Sequence, residues 1–430
     1  MAYLLFAMFE GGGNVPLLTP VVDAVAARGH EVGVLVGPNI RRPAAPPPSE
    51  RFLDRLRASG ARVIPLGDVG DPLAGFELRS AAFGRTPDGL FGATDVDRLA
   101  RWSGPWAQAV TGEIAAARPD ALVCDFFLLG ALAAGEASGV STVALVHNSS
   151  LNWPLPGLPL PPPGSMPRPG AIGWVRDRAW AAAYNRVARR DGLRPVNEAR
   201  AQLGLAALRR PYEQVERAAR VLVLSSPALE LPVRAPLPAN VRHIGTILGD
   251  SPDSQWSPPA DDGRPLLLVS LSTLPQGQGP VLRRVLQAIG ELPVRAVVTL
   301  GPTLARESFE VPPNAVTETF VPHDAVLPHV SAVVTQCGLG TVTKVLAAGL
   351  PMVCLPVLGD QPANAARVAA IGAGLRLSKE ASASDIADAV RRVVGDEKFR
   401  QAAQRFAAVV ADEDPRQALL EEIEAITGVP

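Results

Sequence analysis

FVPHDAVLPHVSAVVTQCGLGTVTKVLAAGLPMVCLPVLGDQ, residues Phe320 to Gln361, is the stretch on which the reading of this chain turns. AVVTQ is a short β-branched run that suits a buried strand. CGLGT follows at once, and Gly338 and Gly340 let backbone approach a ligand closely. TVTKVLAA then reads as a helix, closed by Gly349. A turn that opens a helix directly after a strand aims unpaired N–H groups and the positive end of the helix dipole at one spot. A phosphate is its natural guest. The next strand, PMVCLP, leads into Asp360-Gln361 beyond its carboxyl end, where open α/β sheets place their ligands.

Outward from this stretch the same alternation continues. Upstream lie an expected strand 266–270, a helix 280–289 and strands 296–300 and 315–320. Ser272-Thr273, just past the first of these, can reach a phosphate or hydroxyl, or close a turn with local bonds. Downstream come a strand 374–377 and helices 382–394, 398–410 and 416–426. The N-terminal half begins another βαβ series: strand 2–8, the Gly-rich turn Glu10-Gly11-Gly12-Gly13-Asn14, helix 15–28 and strand 31–36. Helix 50–58 and strand 62–66 follow, then a long helix 96–116 and strand 120–124 with Asp125 at its carboxyl end. Helix 126–137 leads to strand 141–146, which ends at His147. WPLPGLPLPPPGSMPRP, residues 153–169, is neither helix nor central sheet; it is a surface connector or a wall over a pocket. One long helix or two span 174–203, and a strand 221–225 follows. The two series divide the chain into domains at 1–248 and 265–410, a linker at 249–264, and a last helical segment at 411–430.

The chain has 430 residues, 47% of them hydrophobic and 19% charged, which suits two globular domains. A net charge of −1 with no basic run argues against nucleic acid as a partner. The five His (30, 147, 243, 323, 329) show no metal-ligand spacing, and the three Cys (124, 337, 354) sit in or beside apolar strands. No run approaches the roughly 20 apolar residues of a membrane span, and the YLLFAMF opening is too short for a signal peptide. A cytoplasmic enzyme, monomer or homodimer, is expected.

The 320–361 stretch resembles the donor-binding signature of the family 1 glycosyltransferases, nucleotide-sugar-dependent enzymes with the GT-B fold. That resemblance implies an α/β chain of two Rossmann-like, doubly wound parallel-sheet domains facing a central cleft. The first would bind acceptor and the second nucleotide-sugar, with the last helix packing back on the first. Among such enzymes the chain looks most like those that decorate bacterial natural products. Phe320 would stack on the base, with Val321 beside it. His323 would present backbone to the base. Gln336, Cys337, Gly338, Gly340 and Thr341 would hold the diphosphate, Ser272 and Thr273 would assist, and Asp360 and Gln361 would hold sugar hydroxyls. Gln336 stands where the family has His, and Lys344 where a ribose-binding Glu often stands. The expected activity is inverting transfer of a hexose from a UDP- or dTDP-sugar to a hydrophobic small molecule. It would use no cofactor and no metal, the helix N-terminus meeting the diphosphate charge.

Such a transfer needs a base for the acceptor hydroxyl. In the family this is a His in the first βα turn, oriented by an Asp to which Asp125 corresponds. Here the turn has Gly13 and Asn14 instead. Three residues are candidates for the base, in this order: Asp125, His147 and Glu10. Each also has a structural reading, as helix cap, packed His or solvated loop acid. Gly12, Gly13 and Asn14 would leave room for an acceptor. The aromatic residues Phe76, Phe83, Phe91, Trp153, Trp174 and Trp180 would line its pocket. The missing His also raises two alternatives: a catalytically silent GT-B auxiliary protein, or a variant with different chemistry such as C-glycosyl transfer or epimerisation.

Overall fold

A computed structural model describes residues 1–11, 14–40, 45–67, 72, 98–147, 160–162, 164–230, 236–249, 256–271, 277–301 and 304–428. Two parallel sheets organise them. The first has seven strands: β1 (Tyr3–Phe9), β2 (Glu31–Gly37), β3 (Arg62–Pro65), β4 (Ala121–Asp125), β5 (Ser141–Val146), β6 (Arg220–Val223) and β7 (Val241–His243). They are ordered β3-β2-β1-β4-β5-β6-β7. The second has six: β8 (Leu266–Ser270), β9 (Arg295–Thr299), β10 (Ala315–Glu318), β11 (Ala332–Thr335), β12 (Met352–Cys354) and β13 (Gly374–Arg376). Their order is β10-β9-β8-β11-β12-β13. Every paired neighbour is parallel. The strands read as near-continuous apolar runs because helices cover both faces. Leu4 to Met8 of β1 are no more than 1% exposed.

Both orders reverse direction once. In the first sheet the reversal lies between β1 and β4; in the second it lies between β8 and β11. A crevice opens at the carboxyl ends of the strands at such a reversal, and ligands of doubly wound sheets bind there. The residues after β1 and β4, and those after β8 and β11, are thereby brought to the two crevices.

The chain crosses between the sheets and returns. The Glu397–Ala411 helix packs on the Leu339–Ala347 helix of the second domain. Glu413 then takes hydrogen bonds from Ser226 Oγ and from Thr246 N at 3.2 Å, both in the first domain. The Pro415–Thr427 helix, capped by Asp414 on the amide of Gln417, lies on the Val15–Ala27 helix and buries Leu419, Leu420 and Ile423. Glu424 meets Arg28 at 2.8 Å. A second tie is the buried pair of Arg367 with Glu230, 3.2 Å apart across the two domains. In the described part of the proline-rich segment, Gly164 O accepts from Arg376 of β13.

Several element bounds differ from the sequence reading, among them the helix expected at 96–116, which spans Ser103–Ala117. The helix after β4 starts at Leu129, not Phe126. Asp125 Oδ1 accepts from Phe127 N at 3.0 Å and its carbonyl from Leu128 N, which makes a turn where a helix was expected. Asp125 is therefore not the cap of that helix. The segment after the prolines is one helix, Gly170–Gln202, continuous through Pro195. Among the described residues no helix is long and apolar enough to cross a membrane.

Candidate active site

At the first reversal, β1 ends at Phe9, and Asn14 stands before the next helix. Asn14 precedes the Val15–Ala27 helix but its side chain does not cap it. Instead Asn14 Nδ2 donates to Phe9 O at 3.0 Å and to Asp125 Oδ2 at 2.9 Å, and Asn14 Oδ1 accepts from Gly11 N at 2.9 Å. Gly11 must be small, since a Cβ there would sit 2.6 Å from the Phe9 ring and 2.7 Å from Asn14 Oδ1. Asp125 ends β4 and is 1% exposed. His147 follows β5, and its Nε2 lies 3.2 Å from Asp125 Oδ2, at ion-pair distance but off hydrogen-bond alignment. Phe126 and Phe127 meet the imidazole edge-on, with centroids at 5.1 and 5.3 Å. Asp125 thus accepts two hydrogen bonds and faces a His.

At the second reversal, β11 runs into Gln336, Cys337 and Gly338, and the Leu339–Ala347 helix begins. The left-handed residue of this turn is Cys337, with φ of 68°. Gly338 and Gly340 do not have left-handed backbone. A Cβ at either would meet no atom within 4 Å, so the space beside them stands open. A non-glycine in the left-handed region costs about 1–3 kcal/mol and persists only where its surroundings fix it. Two side chains do so here. Thr335 Oγ1 accepts from Cys337 N at 3.2 Å, and Asn364 Nδ2 donates to Cys337 O at 3.0 Å. The first amides of a helix have no intrahelical acceptor; here Thr341 N and Val342 N already donate to Gly338 O, both at 3.0 Å.

Asp360 and Gln361 open the Gln361–Ala370 helix. The Asp360 carboxylate does not cap it; Asp360 Oδ2 accepts from Asn364 Nδ2 at 2.8 Å. Gln361 Oε1 accepts from Val357 N and Leu358 N at 2.9 and 3.0 Å, which fixes the loop after β12. Asn364 therefore joins the Cys337 turn to Asp360. The sequence reading missed it; its signal was its place one helical turn beyond Asp360. Among the described residues, the amide oxygens Gln336 Oε1 and Asn364 Oδ1 are buried with no hydrogen-bond partner.

Phe320 lies past β10 with 59% of its surface exposed, while Val321 beside it is buried. His323 opens a short helix, and its Nε2 is 3.4 Å from Ser270 Oγ at the end of β8. Burial, and then the Lys344 ammonium, lower its pKa to about 4, so it is neutral at pH 7.

The structure brings Asn14, Asp125 and His147 together on one side, and Gln336, Cys337, Gly338, Asp360 and Gln361 on the other, with Gly340 and Thr341 in the first helical turn. It takes Glu10 elsewhere. The Glu10 carboxylate accepts from Ser49 N at 2.6 Å and Ser49 Oγ at 2.8 Å, which braces the cap of the Glu50–Ala58 helix. Trp174 stands on the exposed start of the long helix with Arg178 stacked 4.7 Å from its ring. Gly12, Gly13, Phe76, Phe83, Phe91, Trp153, Ser272 and Thr273 lie outside the described residues.

Residues 283–426 match the model of the erythromycin biosynthesis protein CIII-like C-terminal domain. The 4'-demethylrebeccamycin synthase of Lentzea aerocolonigenes is 31% identical over 446 aligned positions, which cover 100% of this chain and 99% of that protein. This chain belongs to the natural-product glycosyltransferases. The demethyllactenocin mycarosyltransferase of Streptomyces fradiae is 32% identical over 153 residues, 35% of this chain and 33% of that one. Among solved structures, the kitacinnamycin glycosyltransferase superposes with a TM-score of 0.76 at 19% identity, covering 100% of this chain and 99% of its own. The spinosyn rhamnosyltransferase complexed with thymidine diphosphate superposes at 0.67, again at 19% identity, covering 99% and 100%. The two parallel-sheet domains are those of the GT-B fold, and the relatives are named as glycosyltransferases.

Proposed function

We propose that this glycosyltransferase moves a hexose or deoxyhexose, with inversion, from a dTDP- or UDP-sugar to a hydrophobic natural-product acceptor. The observation that carries the reading is the Asn14–Asp125–His147 cluster at one switch point, set against the strand-turn-helix of Cys337–Thr341 at the other. The family's resemblance called for a His in the first βα turn. Here Asn14 takes that His's place beside the Asp, and an imidazole reaches the same carboxylate from the end of β5.

His147 is the base in this reading. With Nε2 turned to Asp125, Nδ1 is the nitrogen left to take the acceptor proton, and the carboxylate stabilises the imidazolium that forms. Asp125 is the orienting group and not the base itself, because its oxygens already accept from Phe127 N and Asn14 Nδ2. This reverses the order that the sequence suggested. On the donor side, the helix N-terminus and the open space beside Gly338 and Gly340 suit a diphosphate. The exposed ring of Phe320 suits a base, and Asp360 with Gln361 suits sugar hydroxyls. The buried, unpaired Gln336 Oε1 marks this as a place where polar partners are exchanged.

Calorimetric titration with UDP, dTDP and GDP tests the donor half. Micromolar binding of dTDP or UDP, abolished in Gly338→Asp, is expected. Absence of binding to all three would sink the reading.

A further inference from the structure

The Lys344 ammonium holds three separate segments. Lys344 lies on the Leu339–Ala347 helix, whose first turn forms the donor turn. Its Nζ donates to Gly249 O at 3.1 Å and sits 3.4 Å from both oxygens of Asp324. Asp324 belongs to the short helix that follows Phe320. Gly249 opens the segment between the two domains, and it is wedged against the start of the first helix of the acceptor domain. A Cβ on Gly249 would lie 2.7 Å from Pro16 O and 3.4 Å from the Pro20 ring. Pro16 is two residues from Asn14, which holds Asp125. A path of direct contacts therefore runs from the donor helix through Lys344 and Gly249 to Pro16, next to the catalytic cluster.

We infer that Lys344 is a positioning residue that clasps the donor helix to the interdomain segment and so sets the donor turn against the Asn14–Asp125–His147 cluster. It does this at a position where a ribose ligand would have been expected. Its side chain is 15% exposed and that of Asp324 is 52% exposed, so the partly buried bond to Gly249 O is screened less than the ion pair. Lys also suits the task chemically. It is a point charge with several donors, able to serve a carbonyl and a carboxylate at once, and it has no acceptor to offer a ribose hydroxyl. The inference rests on the proposed donor site.

The test separates nucleotide affinity from turnover. Lys344→Met keeps the apolar stem and removes the ammonium. Affinity for UDP and dTDP is measured by calorimetry. Turnover is measured as UDP or dTDP release from UDP-glucose and dTDP-glucose, with water or umbelliferone as acceptor. The expected result is a fall in kcat of about tenfold with nucleotide Kd within about twofold, since misplacing the two halves costs rate more than binding. Lys344→Arg should restore most of the rate. Gly249→Ala pushes on the same contact from the other end and should show the same split. In wild-type background His323 titrates low partly because of Lys344, so Lys344→Met should also raise its NMR-detected pKa from about 4. A loss of nucleotide affinity equal to or larger than the loss of kcat would make Lys344 a donor ligand and overturn the clasp. Unchanged kcat in both Lys344→Met and Gly249→Ala would overturn it too. Wild-type protein that binds neither nucleotide is a different result, and it would sink the donor site itself.

Discussion

At the switch point of the first sheet, the candidate site is built from side chains. Asn14, Asp125 and His147 come from three segments and meet through one carboxylate. At the switch point of the second sheet, it is built from backbone. The turn of Cys337 and Gly338 leads into the helix, and Thr335 and Asn364 hold that backbone in shape. A site built from side chains can change its parts and keep its geometry, because an imidazole can reach one carboxylate from more than one strand end. A site built from backbone must keep its local sequence pattern. The first site departs from the family pattern in its first-turn His, whereas the second keeps strand, turn, helix and Asp-Gln and departs only in the side chains of Gln336 and Lys344.

The largest expected effect tests the side-chain half. His147→Ala and Asp125→Asn should each lower kcat by about 10²- to 10⁴-fold, the usual contribution of a positioned base, and leave nucleotide Kd unchanged. The two should be far from additive, since a base and the group that orients it act as a unit. Steady-state rates of the single and double variants check this. Full activity in His147→Ala would return the role of base to Asp125.

Next in size is a break in the backbone half. Gly338→Asp puts a carboxylate into the space reserved for an anion, at the positive end of a helix. UDP or dTDP affinity should fall by roughly 100-fold or more, through charge repulsion and loss of room. Gly338→Ala is the sharper control. Its Cβ meets no protein atom within 4 Å, so the fold should tolerate it, and any loss of affinity reports contact with the ligand itself. Calorimetry separates the two.

This asymmetry also explains what could be read from the sequence. The donor half was legible because its signals are local: β-branched residues, then glycines, then helical periodicity, within 42 consecutive residues. The glycines provide the space expected of them, while the left-handed backbone of the turn falls to Cys337, which no sequence signal announced. On the acceptor side, Asp125 and His147 were legible as strand ends, but their meeting with Asn14 was not. The Asn14–Asp125 bond joins residues 111 apart, and no periodicity encodes it. Lys344 was noticed only as a departure, because its carbonyl partner is 95 residues away. The side-chain bonds of Glu10 to Ser49 were invisible for the same reason.

Asn14 gives a smaller effect that sharpens the comparison. Asn14→Ala removes one donor from Asp125 and the Phe9 and Gly11 bonds that shape the loop. A loss of about 1–2 kcal/mol in transition-state stabilisation is expected, roughly tenfold in kcat, with little change in nucleotide affinity. Asn14→His is the informative partner. If the cluster is a relocated version of the family's pair, a second imidazole beside Asp125 should support turnover in a His147→Ala background. No recovery there would mean that the first-turn position has lost access to the acceptor.

The smallest effect belongs to Glu10, the acid that the structure removes from the site. Glu10→Gln keeps an acceptor for Ser49 and weakens two charge-assisted bonds at the start of the Glu50–Ala58 helix. Stability should fall by about 0.5–1.5 kcal/mol, and kcat and nucleotide Kd should stay within about twofold of wild type. Denaturant unfolding and steady-state rates on the same preparation distinguish the two roles. A kcat loss of 100-fold with unchanged stability would place Glu10 in the chemistry after all. It would also mean that the acceptor half draws its base from the Gly-rich loop, and the His147–Asp125 pair would then be a packing feature of β4 and β5.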